Sequence, residues 1–176
     1  MLETLISSKT RIKLLYKFFI NSNNTSYLRG LEEEFNESTN SIRLELNKFE
    51  QSGFLTSQTY GNKKYFRANT NHPLFSDIHR IVFKLVGIEY VVDYILQRIG
   101  NLEMVYLVGK LAEGIDSEII DIVLVGDINK PYLVELIAKA EKKLNKKIKF
   151  ICYLPSEFVI EKITEPGLHP LLIYQK

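Results

Sequence analysis

The sequence predicts an α+β protein in two parts, a helical N-terminal part closed by a β-hairpin and a small C-terminal α/β sheet. Three observations carry that prediction. Apolar residues recur at helical spacing in successive segments up to Gly53, two β-favouring runs then flank Gly61-Asn62, and from Met104 onward strand-like and helix-like runs alternate. The size permits it, since 176 residues with 45% apolar and 25% charged side chains suffice for one or two small domains whose cores need no metal or disulfide staple.

From Lys9 to Asn21, Ile12, Leu15, Tyr16 and Phe19 fall at i, i+3, i+4 and i+7, which predicts a helix with one apolar face, ended by the polar run NSNNTS. The stretch TSYLRGLEEEFN predicts a second helix with Thr25 or Ser26 as its N-cap, Tyr27, Leu28, Leu31 and Phe35 turned inward, and a stop at Asn36. Ser38 caps a predicted third helix in which Ile42, Leu46 and Phe49 repeat at i, i+4 and i+7, and Gly53 closes it. The runs FLTSQTY and KKYFRAN, joined through Gly61-Asn62, then read as a hairpin.

Three helices followed by a hairpin resemble the winged helix-turn-helix domain of the arsenical-resistance and multiple-antibiotic-resistance regulator families. The resemblance covers residues 9 to 84 and rests on STNSIRLELNKFEQSGFL, on the wing TSQTYGNKKYFRAN, and on NHPLFSDIHRIVFK, which is similar to the helix that follows the wing in such regulators. It implies that the outer side of the third helix, Thr39, Asn40, Arg43 and Asn47, reads base edges in the major groove of double-stranded DNA. It implies too that Asn62, Lys63 and Lys64 at the wing tip lie against a phosphate backbone or minor groove. The plainer reading makes Arg43 and Asn47 a solvated helix face and the two lysines protection for an exposed hairpin edge. Glu32, Glu33 and Glu34 read as a solvated face, and Asp77 and His79, two apart on a helix, as structural residues and not an acid–base pair.

From Pro73 to about Gly100 the pattern is helical apart from Gly87, which divides it into two helices with a bend. The stretch Leu85, Val86, Ile88, Val91, Val92, Ile95 and Leu96 is more apolar than one helix face requires, so it is expected to lie against the second domain or against another copy in a homodimer. MVYLVG, KLAEGIDSEI, IDIVLVGD, KPYLVELIAKAEKKLN and KIKFICYL follow as alternating strands and helices. The expected division is residues 1–84, a linker helix over 85–100, and a domain over 101–176.

Within that domain VYLVGKLAEGIDSEIIDIVLVGD resembles the signature of the minimal nucleotidyltransferase, or polymerase-beta-like, family. Active members carry Gly-Ser in the turn, Asp-x-Asp on the second strand and a further carboxylate on a later strand, which together hold phosphates and two divalent ions. Here the glycine is Gly109, Lys110 replaces the serine, and Ile119, Ile120 and Asp121 stand for Asp-x-Asp, so Asp121 is the one carboxylate kept; Asp116 and Glu118 lie off the expected positions. The resemblance implies an inactive domain in which Gly109, Lys110 and Asp121 form at most a vestigial nucleotide site.

One cysteine, Cys152, and three histidines at spacings of no familiar ligand pair disfavour a metalloenzyme, so neither a metal nor a cofactor is expected. The N-terminal stretch is charged throughout and has no small-residue cleavage site, and no apolar run reaches membrane-spanning length, so a cytoplasmic protein without membrane partners is expected. Up to Gly87 there are 12 basic and 8 acidic residues, and after it 11 and 13, a mild basic excess in the half expected to face nucleic acid. The leading expectation is a dimeric DNA-binding transcriptional regulator whose inactive second domain dimerises or senses a nucleotide, small molecule or partner. Its rivals are an active or nucleotide-binding nucleotidyltransferase whose winged helix recruits a protein or nucleic-acid substrate, and a module that docks only proteins.

Overall fold

The computed structural model describes residues 6–96, 98–164 and 169–176 of the chain. It is mixed α+β with two sheets, and it divides into two compact units, Met1–Val82 and Phe83–Lys176.

In the first unit helix α1 (Lys9–Phe19) begins at Ser8, whose hydroxyl accepts the Arg11 amide. Its deepest side chains are Leu14, Leu15, Phe18 and Phe19, while Ile12 and Tyr16 are half-buried, so the buried face is rotated from the predicted one. Phe19, common to both faces, meets Phe54 edge-on at 6.4 Å and stacks on Phe75 at 5.6 Å.

The predicted second helix loses its first turn to a strand. Thr25–Tyr27 form β1, so Thr25 and Ser26 are strand residues and not N-caps, and helix α2 (Leu28–Phe35) starts without a side-chain cap. A β-branched and an aromatic residue suit a pleated surface, and pairing satisfies backbone groups that a helix start leaves open. Leu31 and Phe35 are buried as expected, and Asn36 ends α2 with φ at 50°. The glutamate triplet is not wholly solvated, because Glu34 pairs with Lys17 of α1 at 2.7 Å.

Ser38 caps helix α3 (Thr39–Gln51) by accepting the Ser41 amide, and Ile42, Leu46 and Phe49 are buried as their spacing predicts. Gly53, with φ at 77°, leads into strands β2 (Leu55–Tyr60) and β3 (Lys63–Ala68). The sheet order is β1-β3-β2, all antiparallel, so β1 lies on the second edge of β3. Helix α4 (Phe75–Val86) follows; His79 donates through Nδ1 to the Phe19 carbonyl at 2.6 Å, and Asp77 accepts from Arg80 at 3.0 Å. Asp77 and His79 therefore serve separate partners.

In the second unit Gly87, with φ at 88°, separates α4 from helix α5 (Ile88–Leu96). Strand β4 (Gly100–Val108), the single turn α6 (Gly109–Ala112), strand β5 (Ile119–Ile128), helix α7 (Lys130–Leu144), strand β6 (Lys147–Tyr153), a 3₁₀ turn (Ile160–Ile163) and strand β7 (Leu171–Gln175) complete it. The sheet order is β6-β5-β4-β7; β4 is antiparallel to both neighbours, and β5 and β6 are parallel across α7. The sequence reading has no counterpart for β7. Ile88, Val91 and Ile95 of α5 are buried at 1 to 2% exposure within this unit, where α5 packs on α7. The apolar excess of this stretch therefore belongs to the unit's own core, and Val91 and Ile95 are not available to a second chain. Val92 is half-buried, and the Leu96 side chain lies outside the described residues.

A charge sits among the apolar residues of α3. Glu45 is 7% exposed and accepts from Arg11 Nε at 2.8 Å, Arg11 Nη2 at 3.2 Å and Lys48 Nζ at 3.3 Å. Burial by itself raises this carboxyl, but the bonds from Arg11 and Lys48 outweigh it and hold the group below its ordinary value of 4.5. A carboxyl lowered by folding stabilises the folded state above its ordinary pKa and loses that contribution as pH falls through the lowered one. Acid titration of stability should thus weaken the parent below about pH 4.5 and weaken Glu45→Gln less. At neutral pH, Glu45→Ala should cost about 2 kcal/mol in urea unfolding, because Arg11 keeps a partly buried charge without its acceptor.

Candidate nucleic-acid interface

Of the seven side chains expected to touch DNA, the structure gathers five, Arg43, Asn47, Asn62, Lys63 and Lys64, around one groove of about 480 Å³ between α3, the hairpin and the start of α2. Thr39, half-buried, and Asn40, exposed, sit on the first turn of α3 and do not line it. Burial of Ile42, Glu45, Leu46 and Phe49 turns Arg43 and Asn47 outward. Leu44 stands beside Arg43 at 52% exposure.

The sequence reading assigned no role to Arg29. This exposed residue joins the lining of the groove because β1 fixes Tyr27 and α2 starts at Leu28, which places Arg29 in the first turn. A helix start set at Thr25 or Ser26 conceals that position; a cation in the first turn of the helix before α3 is the signal that identifies it.

Among the described residues no acidic side chain lines the groove, whereas Arg29, Arg43, Lys63 and Lys64 do. The two wing lysines are held by neighbours. Lys63 Nζ sits 4.2 Å over the Tyr27 ring. Lys64 Nζ is 5.1 Å from the centre of the Phe66 ring and 2.7 Å from Glu50, which also accepts from Ser57 at 2.5 Å. The bonds from Lys64 and Ser57 keep the Glu50 carboxyl below its ordinary range. The groove thus offers two amides, two guanidinium groups and two ammonium groups, which suit oxyanions and base edges.

At the other expected site Gly109 and Asp121 are brought together, and no side-chain contact of Lys110 with either is found among the described residues. Val108 pairs with Asp121, which is in register with Lys149 on β6, and these three residues line one depression of about 450 Å³. Gly109 has φ at 68°, and a Cβ there would lie 2.9 Å from Asp121 Oδ2. Lys110 is exposed, and Asp116 accepts from the Ser117 amide at 2.9 Å and from Lys146 at 3.5 Å, which engages it within its own turn. Lys149 on β6 is the register partner of Asp121, so the strand beside that carboxylate carries a cation and not a second acid. These residues do not fit two divalent ions.

No family model matches the chain, and no curated protein matches it.

Gly109→Ala should destabilise the second unit by about 1–3 kcal/mol, because it combines a left-handed backbone with a contact against Asp121. Adding Asp121→Ala should recover the contact and leave the backbone strain, so the double variant should melt between Gly109→Ala and the parent.

Proposed function

We propose that the protein is a cytoplasmic DNA-binding transcriptional regulator whose first unit is a winged helix-turn-helix that binds double-stranded DNA. The observation that carries this reading is the convergence of Arg29, Arg43, Asn47, Asn62, Lys63 and Lys64 on one groove without an acidic lining residue. α3 enters the major groove, where Arg43 matches the acceptor pair of guanine and Asn47 the donor and acceptor of adenine. Arg29, Lys63 and Lys64 contact phosphates, which set register and affinity without carrying sequence information.

Gel-shift titrations over a range of salt check this. Lys63→Ala with Lys64→Ala should weaken binding about equally on every duplex and flatten the salt slope by about 1 to 2. Arg43→Ala should cost about 1–3 kcal/mol on the preferred site and relax the preference at one base pair. Unchanged binding by the double lysine variant at low salt removes the wing from the interface.

The second unit has, on this reading, a nucleotidyltransferase-like fold without catalysis, and it supports self-association or ligand sensing. The single Asp121, with Lys149 beside it in register and Lys110 exposed after the turn, supports the lack of catalysis. Ile151, 55% exposed on the edge strand β6, supports self-association through this unit. Incubation with labelled nucleoside triphosphates and Mg²⁺ or Mn²⁺ should transfer no label, and transfer lost in Asp121→Ala overturns the reading. In sedimentation the parent should be a dimer and Ile151→Glu a monomer; a monomeric parent overturns self-association.

A further inference from the structure

The outward face of the β1-β3-β2 sheet carries a second surface, of which the groove uses only Tyr27 and Lys63. Side chains alternate across these strands: Ser26, Leu55, Phe66 and Ala68 are buried, and Thr25, Thr56, Gln58 and Arg67 are exposed on the other face. Three tyrosines share that outer face, one from each strand. Tyr27 is the register partner of Tyr65, with ring centres 5.3 Å apart, and Tyr60 meets Tyr65 edge-on at 6.1 Å. Together with Thr25, Gln58 and Arg67, Tyr60 and Tyr65 line a depression of about 420 Å³.

Cross-strand packing accounts for Tyr27 and Tyr65. It does not account for Tyr60, which is 65% exposed and whose hydroxyl bonds only to the neighbouring Gln58 side chain at 2.8 Å in the contacts described. Two cations flank the rings. Arg67 is on the central strand, and Lys63 rests over Tyr27, which covers one face of that ring and leaves Tyr60 and Tyr65 as the accessible π surfaces. No acidic residue alternates onto this face of the three strands.

We propose that this tyrosine and cation face is a stacking platform for single-stranded DNA, taking two or three unpaired bases on Tyr60 and Tyr65 while Arg67 and Lys63 hold the adjoining phosphates. Rings on an open sheet with cations at their margin suit unpaired bases, because every base has a π face and every linkage carries a negative charge. A duplex keeps its bases stacked on each other, so it cannot use the rings. Lys63 and Tyr27 also line the α3 groove, which joins the two surfaces along β3. The platform shares Lys63 with the groove and otherwise rests on its own residues, Tyr60, Tyr65 and Arg67, and the choice of DNA over RNA rests on the proposed function of the groove.

The test compares the full chain on a 12-nucleotide thymidine oligonucleotide, the equivalent uridine RNA and a duplex, by anisotropy at one salt concentration. Tyr60→Ala and Tyr65→Ala should each weaken single-strand binding roughly tenfold and change duplex binding less than twofold. Arg43→Ala should do the reverse. Tyr60→Phe keeps a ring and should retain single-strand affinity, and it covers the case in which Tyr65→Ala disturbs folding. The chain has no tryptophan and ten tyrosines, so the part of the emission quenched by the oligonucleotide in the parent and lost in Tyr60→Ala and Tyr65→Ala reports stacking on these two rings. Absence of single-strand binding, equal losses on both DNA forms, indifference to both alanines, or tighter binding of RNA or of a proline-rich peptide overturns the proposal. If the tyrosine variants act as expected while Arg43→Ala leaves duplex binding unchanged, the platform stands and the groove assignment fails.

Discussion

The Arg11–Glu45 pair fixes how α3 is turned, and the rest of the first unit depends on that angle. A helix with Ile42, Leu46 and Phe49 inward has an apolar stripe that tolerates some rotation. A carboxylate in the same stripe does not, because it needs charged donors within reach, and Arg11 supplies two N–H bonds in fixed fork geometry. The side chains that project outward are then set to within a fraction of a turn. Hydrophobic burial gives the helix its stability, and the ion pair gives its surface a definite composition.

The short strand β1 acts on the same surface from the other side. By pairing along β3 it closes an edge of the hairpin and ties the entry of α2 to the wing, so the groove is bounded by three elements that cannot shift independently. Ring contacts refine the placement of charge, since Lys63 is kept over Tyr27 and Lys64 is shared between Phe66 and Glu50. Surface lysines ordinarily lose much of their effect to conformational freedom. Here aromatic neighbours restrict them before any ligand arrives.

Most of the element order was legible, and so was the inner face of α3, because its four- and three-residue spacing has one helical interpretation. The break at Gly87 was legible for a similar reason, a glycine within an otherwise continuous helical pattern. β1 was not, since Thr25, Ser26 and Tyr27 are as acceptable before a helix as within a strand, and only the distant partner Arg67-Phe66-Tyr65 decides between them. Arg29 was hidden by the same ambiguity. β7 escaped because LLIYQ is five residues long and reaches its partner β4 across a long separation in the chain. Excess apolar character around Val91 could be read equally as a contact between chains or as a core residue, and packing on α7 resolves it. Near the Gly109 turn Asp121 was legible as an acid on the following strand, while its close approach to the glycine depends on how the turn folds back on β5.

Glu50 gives the wing its own counter-ion. When a lysine neutralises a phosphate of a polyanion, the cations condensed on that polyanion are released, and their entropy favours the exchange. Lys64 already holds a carboxylate belonging to the chain, which is displaced but never set free, so that side of any exchange returns no particle to bulk solvent. On the proposed reading a ligand has to compete with Glu50 for Lys64, and the summed field of neighbouring phosphates along a strand competes better than one isolated carboxylate does.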